Sequence, residues 1–234
     1  MALKDTLIEA GPGGVEPFVP GDNVGFGVAL VRTAARTFKG SMADNDDTIA
    51  GFSVQPQNSV CLDEDGFYQS SNKAGVPDIG RMVRKGAVIQ ALCIAKANTS
   101  IVNGDFLEAA PLGDASCYIG VLNECGSNAG EVRLTTSLAQ ALEDCTMTDA
   151  SYKQPASNIE IGDKTATFSS ADLALLDLKE GDYIVLEDVN GDAQLNRVKS
   201  LTSTVITMQL ASTVQVVAST DYVRKVFQVK AMVI

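Results

Sequence analysis

A chain of 234 residues with 45% apolar side chains is long enough to bury one large core or two smaller ones, and 20% charged residues spread along the text suit a folded protein. The net charge of −11 leaves no surplus of Lys or Arg to displace counterions from a phosphate backbone, so nucleic acid is not expected as a partner. The absence of histidine removes His triads and His-ligated metal sites, and neither a cofactor nor a catalytic group is expected.

The first residues, MALKDTLIEAGPGG, have no basic start leading into a sustained apolar run, so no secretory signal is read there and synthesis in a cytosol is expected. No run approaches the roughly 18 apolar residues that would cross a bilayer, and no membrane partner is expected. Residues 1–19 hold Gly11, Pro12, Gly13, Gly14 and Pro17, a spacing that resists helix and ladder alike, and predict an extended N-terminal arm. Its Val15, Phe18 and Val19 are candidate contacts with a neighbour; the alternative is a terminus lying on its own domain.

Residues 20–150 predict a β domain. Strands are expected over 25–31, 81–94, 105–110, 117–122 and 131–136, where β-branched and aromatic residues run between Gly, Asp and Asn. One helix is expected over 136–145, because Leu138, Ala141, Leu142 and Cys145 fall at helical spacing. This part repeats a phrase. The first copy starts at Gly21-Asp22, passes through IAGFSVQ (49–55) and closes with GRMVRKGAVIQAL (80–92). The second starts at Gly104-Asp105, passes through YIGVLNE (118–124) and closes with GEVRLTTS (130–137). The first copy is longer, which predicts an inserted hairpin or lobe around 56–78.

A polar stretch near 146–157 predicts a boundary, followed over 151–234 by a small C-terminal β-barrel. There Ser169, Ser170 and Asp172 supply caps for a helical turn at Leu173–Leu176, and Asn190-Gly191 signals a hairpin. Ile206, Met208 and Leu210 should share one face of a strand, as should Val229, Ala231 and Val233 of a last one. The fold class expected is thus all-β, with two small barrel-like or sandwich-like domains, short helical turns and the arm. Acidity is concentrated early: 10 basic and 19 acidic residues precede position 151, giving −9, against 8 and 10 afterwards, giving −2.

Six Gly-Asp pairs, at Gly21, Gly104, Gly113, Gly162, Gly181 and Gly191, are read as turns in which Gly takes an unusual backbone angle and Asp accepts local amide hydrogens. The clusters Asp44–Asp47 and Asp63–Gly66 lack the spacing of a calcium loop and are read as solvated acidic loops. Cys61, Cys93, Cys117, Cys125 and Cys145 contain no CxxC pair and are read as small buried hydrophobes, with a Cys117–Cys125 disulfide left open. Arg81, Arg84 and Lys85 form a basic knot, either a solvated strand face or a dock for an acidic protein surface.

The phrases NGDFLEAAP, YIGVLNE and NAGEVRLTTS, echoed by PGDNVGFGVAL, IAGFSVQ and GRMVRKGAVIQAL, resemble those of the capsid cement or decoration proteins of tailed viruses of bacteria or archaea. The resemblance spans about 20–137 and leaves the C-terminal part uncovered. It implies a structural protein of the virion exterior, not an enzyme, with the major capsid protein and further copies of itself, most simply as a homotrimer, as partners. Another virion subunit (turret, spike or tail tube) and a carbohydrate-binding or carbohydrate-active β protein are the alternatives.

Overall fold

The computed structural model describes residues 7–9, 11, 14–40, 49–55, 66–70, 79–94, 100–110, 120–124, 138–147, 151–190 and 192–234. In chain order these form β1 (Leu7–Glu9), β2 (Val15–Pro20), β3 (Val24–Gly25), β4 (Ala29–Ala34), β5 (Thr37–Gly40), β6 (Ile49–Val54), β7 (Phe67–Tyr68), β8 (Gly80–Val83), β9 (Val88–Cys93), β10 (Phe106–Ala109), β11 (Leu122–Glu124) and β12 (Ala139–Ala141). There follow β13 (Tyr152–Lys153), β14 (Thr165–Thr167), α1 (Ser170–Leu176), β15 (Tyr183–Glu187), β16 (Ala193–Leu201), β17 (Val205–Met208), β18 (Tyr222–Lys225) and β19 (Phe227–Val233). The protein is all-β.

Two rings of five strands close on themselves. The first has the order β2-β5-β4-β6-β8. The second runs β9-β11-β10-β12-β19 and closes through the β9–β19 pairing, with β1 added along the start of β9. A closed ring leaves no row of unpaired amides for another chain to add to. The third unit is a six-stranded sheet, β13-β18-β15-β16-β17-β14.

Three apolar clusters hold these units together. Phe18, Phe26, Leu30, Phe38 and Met82 fill the first barrel, and the same cluster takes in Leu92 of β9 and Tyr183, Val185 and Leu195 of the C-terminal sheet. The second barrel is filled by Ile89, Ala91, Leu107, Ala139, Val229 and Ala231, and it also buries Phe52, Val54 and Val83 from the outer wall of the first. The other face of the C-terminal sheet has its own core, including Phe168, Leu176, Ile184, Ile206 and Val223. Period-two alternation explains the sharing, because a strand at a junction, such as β6, presents one face to its own interior and the other to the neighbouring unit.

Several expectations change. The stretch read as an arm is strand from Val15 to Pro20 and again from Leu7 to Glu9, both paired within the chain's own barrels, and Pro17 and Pro20 sit inside the longer of the two strands. The expected helix over 136–145 is a strand at Ala139–Ala141, where the two alanines are buried and Gln140 is not, so period two wins between β10 and β19. The single strand expected over 81–94 is two, split at a turn where Gly86 has φ +87°, and they serve different barrels. The first copy of the repeated phrase therefore ends in two units, and the closing segment of the second copy, 130–137, lies outside the described residues. The strand over 25–31 is interrupted at Phe26-Gly27.

The boundary near 150 is crossed by the last strand. The chain leaves the C-terminal sheet after β18 and continues as β19, an inner strand of the second barrel, with six register pairs to β9 from Phe227↔Cys93 to Met232↔Val88 and three to β12. The C-terminal sheet is thus inserted between two strands of one barrel. As the pattern predicts, Val229, Ala231 and Val233 point inward, and Ser169 caps α1 by accepting from the Asp172 amide. The strand over 131–136, the loops Asp44–Asp47 and Asp63–Asp65, most of the 56–78 insertion, and Cys61, Cys117 and Cys125 lie outside the described residues.

Candidate interaction surface

β2 and β8 carry all the residues singled out from the sequence, or lead directly into them. Their antiparallel register sets Val15 opposite Val83, Glu16 opposite Met82, Pro17 opposite Arg81 and Phe18 opposite Gly80. Opposed residues share a face of the pair. Phe18 and Met82 face inward, so Val15, Pro17 and Arg81 face outward.

Phe18 is therefore not a partner contact. It is 1% exposed and packs edge-on against Phe38 and Tyr68, with ring centroids 5.8 and 5.5 Å away. Gly80 opposite it has no side chain because a Cβ there would stand 2.4 Å from the Phe18 ring. The sequence marks Phe18 as a large apolar residue in a Pro-rich stretch, but only the register shows which side of the wall it occupies.

The remaining five reach the surface. Val15 is 36% exposed, Val19 is half-buried, and Arg81, Arg84 and Lys85 are exposed. Ile79, which leads into β8, is 73% exposed and joins this surface unforeseen. Arg84 reaches across the barrel end to Glu16 at 2.8 Å. With both partners largely in water the pair adds at most about 1 kcal/mol.

The β4–β5 hairpin adds exposed Arg32 and Arg36. Arg36 has φ +65° at the turn, and its carbonyl accepts from the Val19 amide at 2.9 Å, which anchors the hairpin to β2. Sequence reasoning passed over these cations, although the RTAARTFK text carries two arginines and a lysine within eight residues. The first barrel thus shows six basic side chains and two acidic ones, Glu16 and Asp22, among the described residues between 14 and 86, in a chain that is acidic as a whole.

The aspartates of the Gly-Asp pairs do local work. At Gly104, Gly162 and Gly181 φ is +100°, +99° and +95°, and the following Asp105, Asp163 and Asp182 each accept the amide hydrogen three residues back at 2.7 to 2.9 Å. In each case the Asp amide also donates to that residue's carbonyl at 3.0 Å. Gly21 departs from this pattern, since its φ is not positive and Asp22 accepts from Asn23. In the β15–β16 hairpin Asp188 accepts from the Asn190 backbone and side-chain amides. Among the described residues no three His, Cys, Asp or Glu side chains gather as metal ligands.

Cys93 is buried and Cys145 half-buried, both as free thiols. Burial, and then Cys145, pushes the Cys93 thiol far above its ordinary value, and burial followed by Glu143 raises Cys145 while Lys225 opposes. Cys93 fits its reading from the sequence as a small buried hydrophobe, whereas Cys145 is only half enclosed. No protein-family model matches this chain, and no curated protein matches it either.

Proposed function

We propose that this chain is a virion structural protein that decorates an icosahedral capsid, binding the outer surface of the major capsid protein lattice and stabilising it. The observation that carries the reading is the outward wall of β2 and β8. Pro17, Arg81 and Ile79, which leads into β8, form an exposed apolar and basic strip along two strands that are each paired on both sides within a closed ring. Such a strip is ordered before a partner arrives, so little side-chain and loop entropy is lost on docking. A lattice repeats one modest contact many times, and further copies of the chain, as a homotrimer, multiply it again. An acidic capsid surface is the natural complement to Arg81 and its basic neighbours.

Co-sedimentation with empty capsids encoded alongside this gene tests the reading. Binding should saturate at a fixed ratio of copies to capsid protein and weaken at least about tenfold in an Ile79→Asp/Arg81→Glu variant of unchanged melting temperature. Failure of the unmodified chain to sediment with such capsids rejects it.

A further inference from the structure

We infer that this chain associates head to tail with a second copy of itself, the basic rim of the first barrel in one copy meeting an acidic end of the second barrel in the next. Strand directions place the two surfaces. β4 ends and β5 begins at one end of the first barrel; β2 is parallel to β5, and β8 is antiparallel to β2. The start of β2, the β4–β5 hairpin and the turn after β8 therefore open at the same end. Arg32, Arg36, Arg84 and Lys85 stand exposed at that end with Val15; Glu16 lies there paired with Arg84, and β1 brings Glu9 beside the start of β9.

The turn bearing Arg84 and Lys85 leads into β9, so it marks the starting end of that strand in the second barrel. β19 is antiparallel to β9, β12 to β19, and β10 to β12. β12 consequently ends, and β10 begins, at the end of the barrel remote from Arg84 and Lys85. The loops there carry Asp105, Glu143 and Asp144 around Val102, which is 53% exposed; Lys225, at the entry to β19, acts on Cys145 at this end but is largely buried, its ammonium donating to the Asp177 carbonyl at 2.6 Å. These carboxylates are held in place: Asp144 accepts from the Asn103 amide at 2.8 Å, Asp105 from Val102 at 2.7 Å and Glu143 from Lys230 at 2.7 Å.

Each copy thus shows an exposed valine among cations on one surface and an exposed valine among carboxylates on another, facing away along the second barrel. Unlike surfaces that fit one another make a heterologous contact, which closes into a ring or runs on as a file, whereas an isologous dimer would pair like with like. Opposite charge steers the encounter, and the two valines exclude water at its centre. This contact rests on the self-association proposed above and specifies its surfaces; its failure leaves binding to the capsid surface to be judged by co-sedimentation.

Sedimentation velocity of the purified full chain is the test. At about 0.02 M salt, where the screening length is about 20 Å, species larger than the monomer should form, and at about 0.5 M they should fall back by at least tenfold in apparent association constant. Arg36→Glu/Lys85→Glu alone and Val102→Lys alone should each remain monomeric, while their 1:1 mixture should associate again, since each variant supplies the surface that complements the other. A monomer at low salt overturns the inference, as does association that both variants leave unchanged or a mixture that stays monomeric. Salt dependence of the unmodified chain keeps the test decisive if either variant folds poorly.

Discussion

The Tyr183 hydroxyl of the C-terminal sheet donates to the Gly66 carbonyl, 117 residues earlier in the chain. The same oxygen accepts from the Phe26 amide at 3.4 Å, and the Tyr183 ring meets Phe67 edge-on at 5.6 Å. Arg197 lies over that ring and donates to the Gly181 carbonyl at 2.9 Å, while its stem fills the space beside Gly66. A buried polar tie of this kind couples the C-terminal sheet to the first barrel. Tyr183→Phe should lower stability by about 1–3 kcal/mol, because Gly66 is left with an unpaired buried carbonyl. Denaturant unfolding should remain a single transition with a lower midpoint and unchanged slope. Two separated transitions in the unmodified protein would show that the sheet and the barrel unfold independently.

At Gly27 the two barrels meet backbone to backbone. Its amide donates to Ser53 of the first barrel, and its carbonyl accepts from Leu92 of the second. With φ +88° and the Gln90 carbonyl oxygen only 2.3 Å from where a Cβ would stand, the position excludes any other residue. Gly27→Ala should cost at least about 2 kcal/mol, from a strained backbone and displaced neighbours together. Gly104→Ala meets only the strain, since its Cβ would point into open space, and should cost less. Melting curves of the two variants check the order.

Phe18 and Arg81 lie one step apart on the same pair of strands and face opposite ways. Phe18→Ala should destabilise by about 3–5 kcal/mol through the cavity left between Phe38 and Tyr68. Arg81→Ala should change stability by no more than about 0.5 kcal/mol and act on partner binding instead. Equal losses of stability in the two variants would contradict the assignment of their faces.

These contrasts show what the sequence made legible. Turn chemistry is local, so Gly104-Asp105, Gly162-Asp163 and Gly181-Asp182 were readable as structural pairs, and the Ser169 cap and the alternation of Val229, Ala231 and Val233 were readable for the same reason. Long-range pairing is not local. Nothing in FQVKAMV says that it will slot between β9 and β12 rather than close its own sheet, and only the partner strands decide it. Ala139, Gln140 and Ala141 fit a helix or a strand equally well by hydrophobicity over so short a run. The candidate surface was half visible: Arg81, Arg84 and Lys85 fall close together in the sequence, but the hairpin arginines join them only through barrel closure, which also turned Phe18 inward.

Cys93 gives a pH dependence whose sign follows from its burial. Cys93 is paired on β9 between β11 and β19 and its thiol is fully buried, where an anion would lack solvation, so the folded chain holds its proton well past the ordinary value of 9.0. The unfolded chain releases it near that value. The native state then binds more protons than the unfolded state as pH rises, and stability must fall. The contribution is intact below pH 9.0 and is lost progressively above it, with Cys145 adding in the same direction because its thiol is raised too. The melting temperature should therefore decline more steeply above pH 9 in the unmodified chain than in Cys93→Ala, although the variant melts lower at neutral pH from its small cavity. Alkylation by a water-soluble thiol reagent should leave Cys93 untouched until the chain unfolds. Rapid labelling of Cys93 under native conditions, or identical alkaline slopes for the two proteins, would show that the site is open to water and that the burial argument fails.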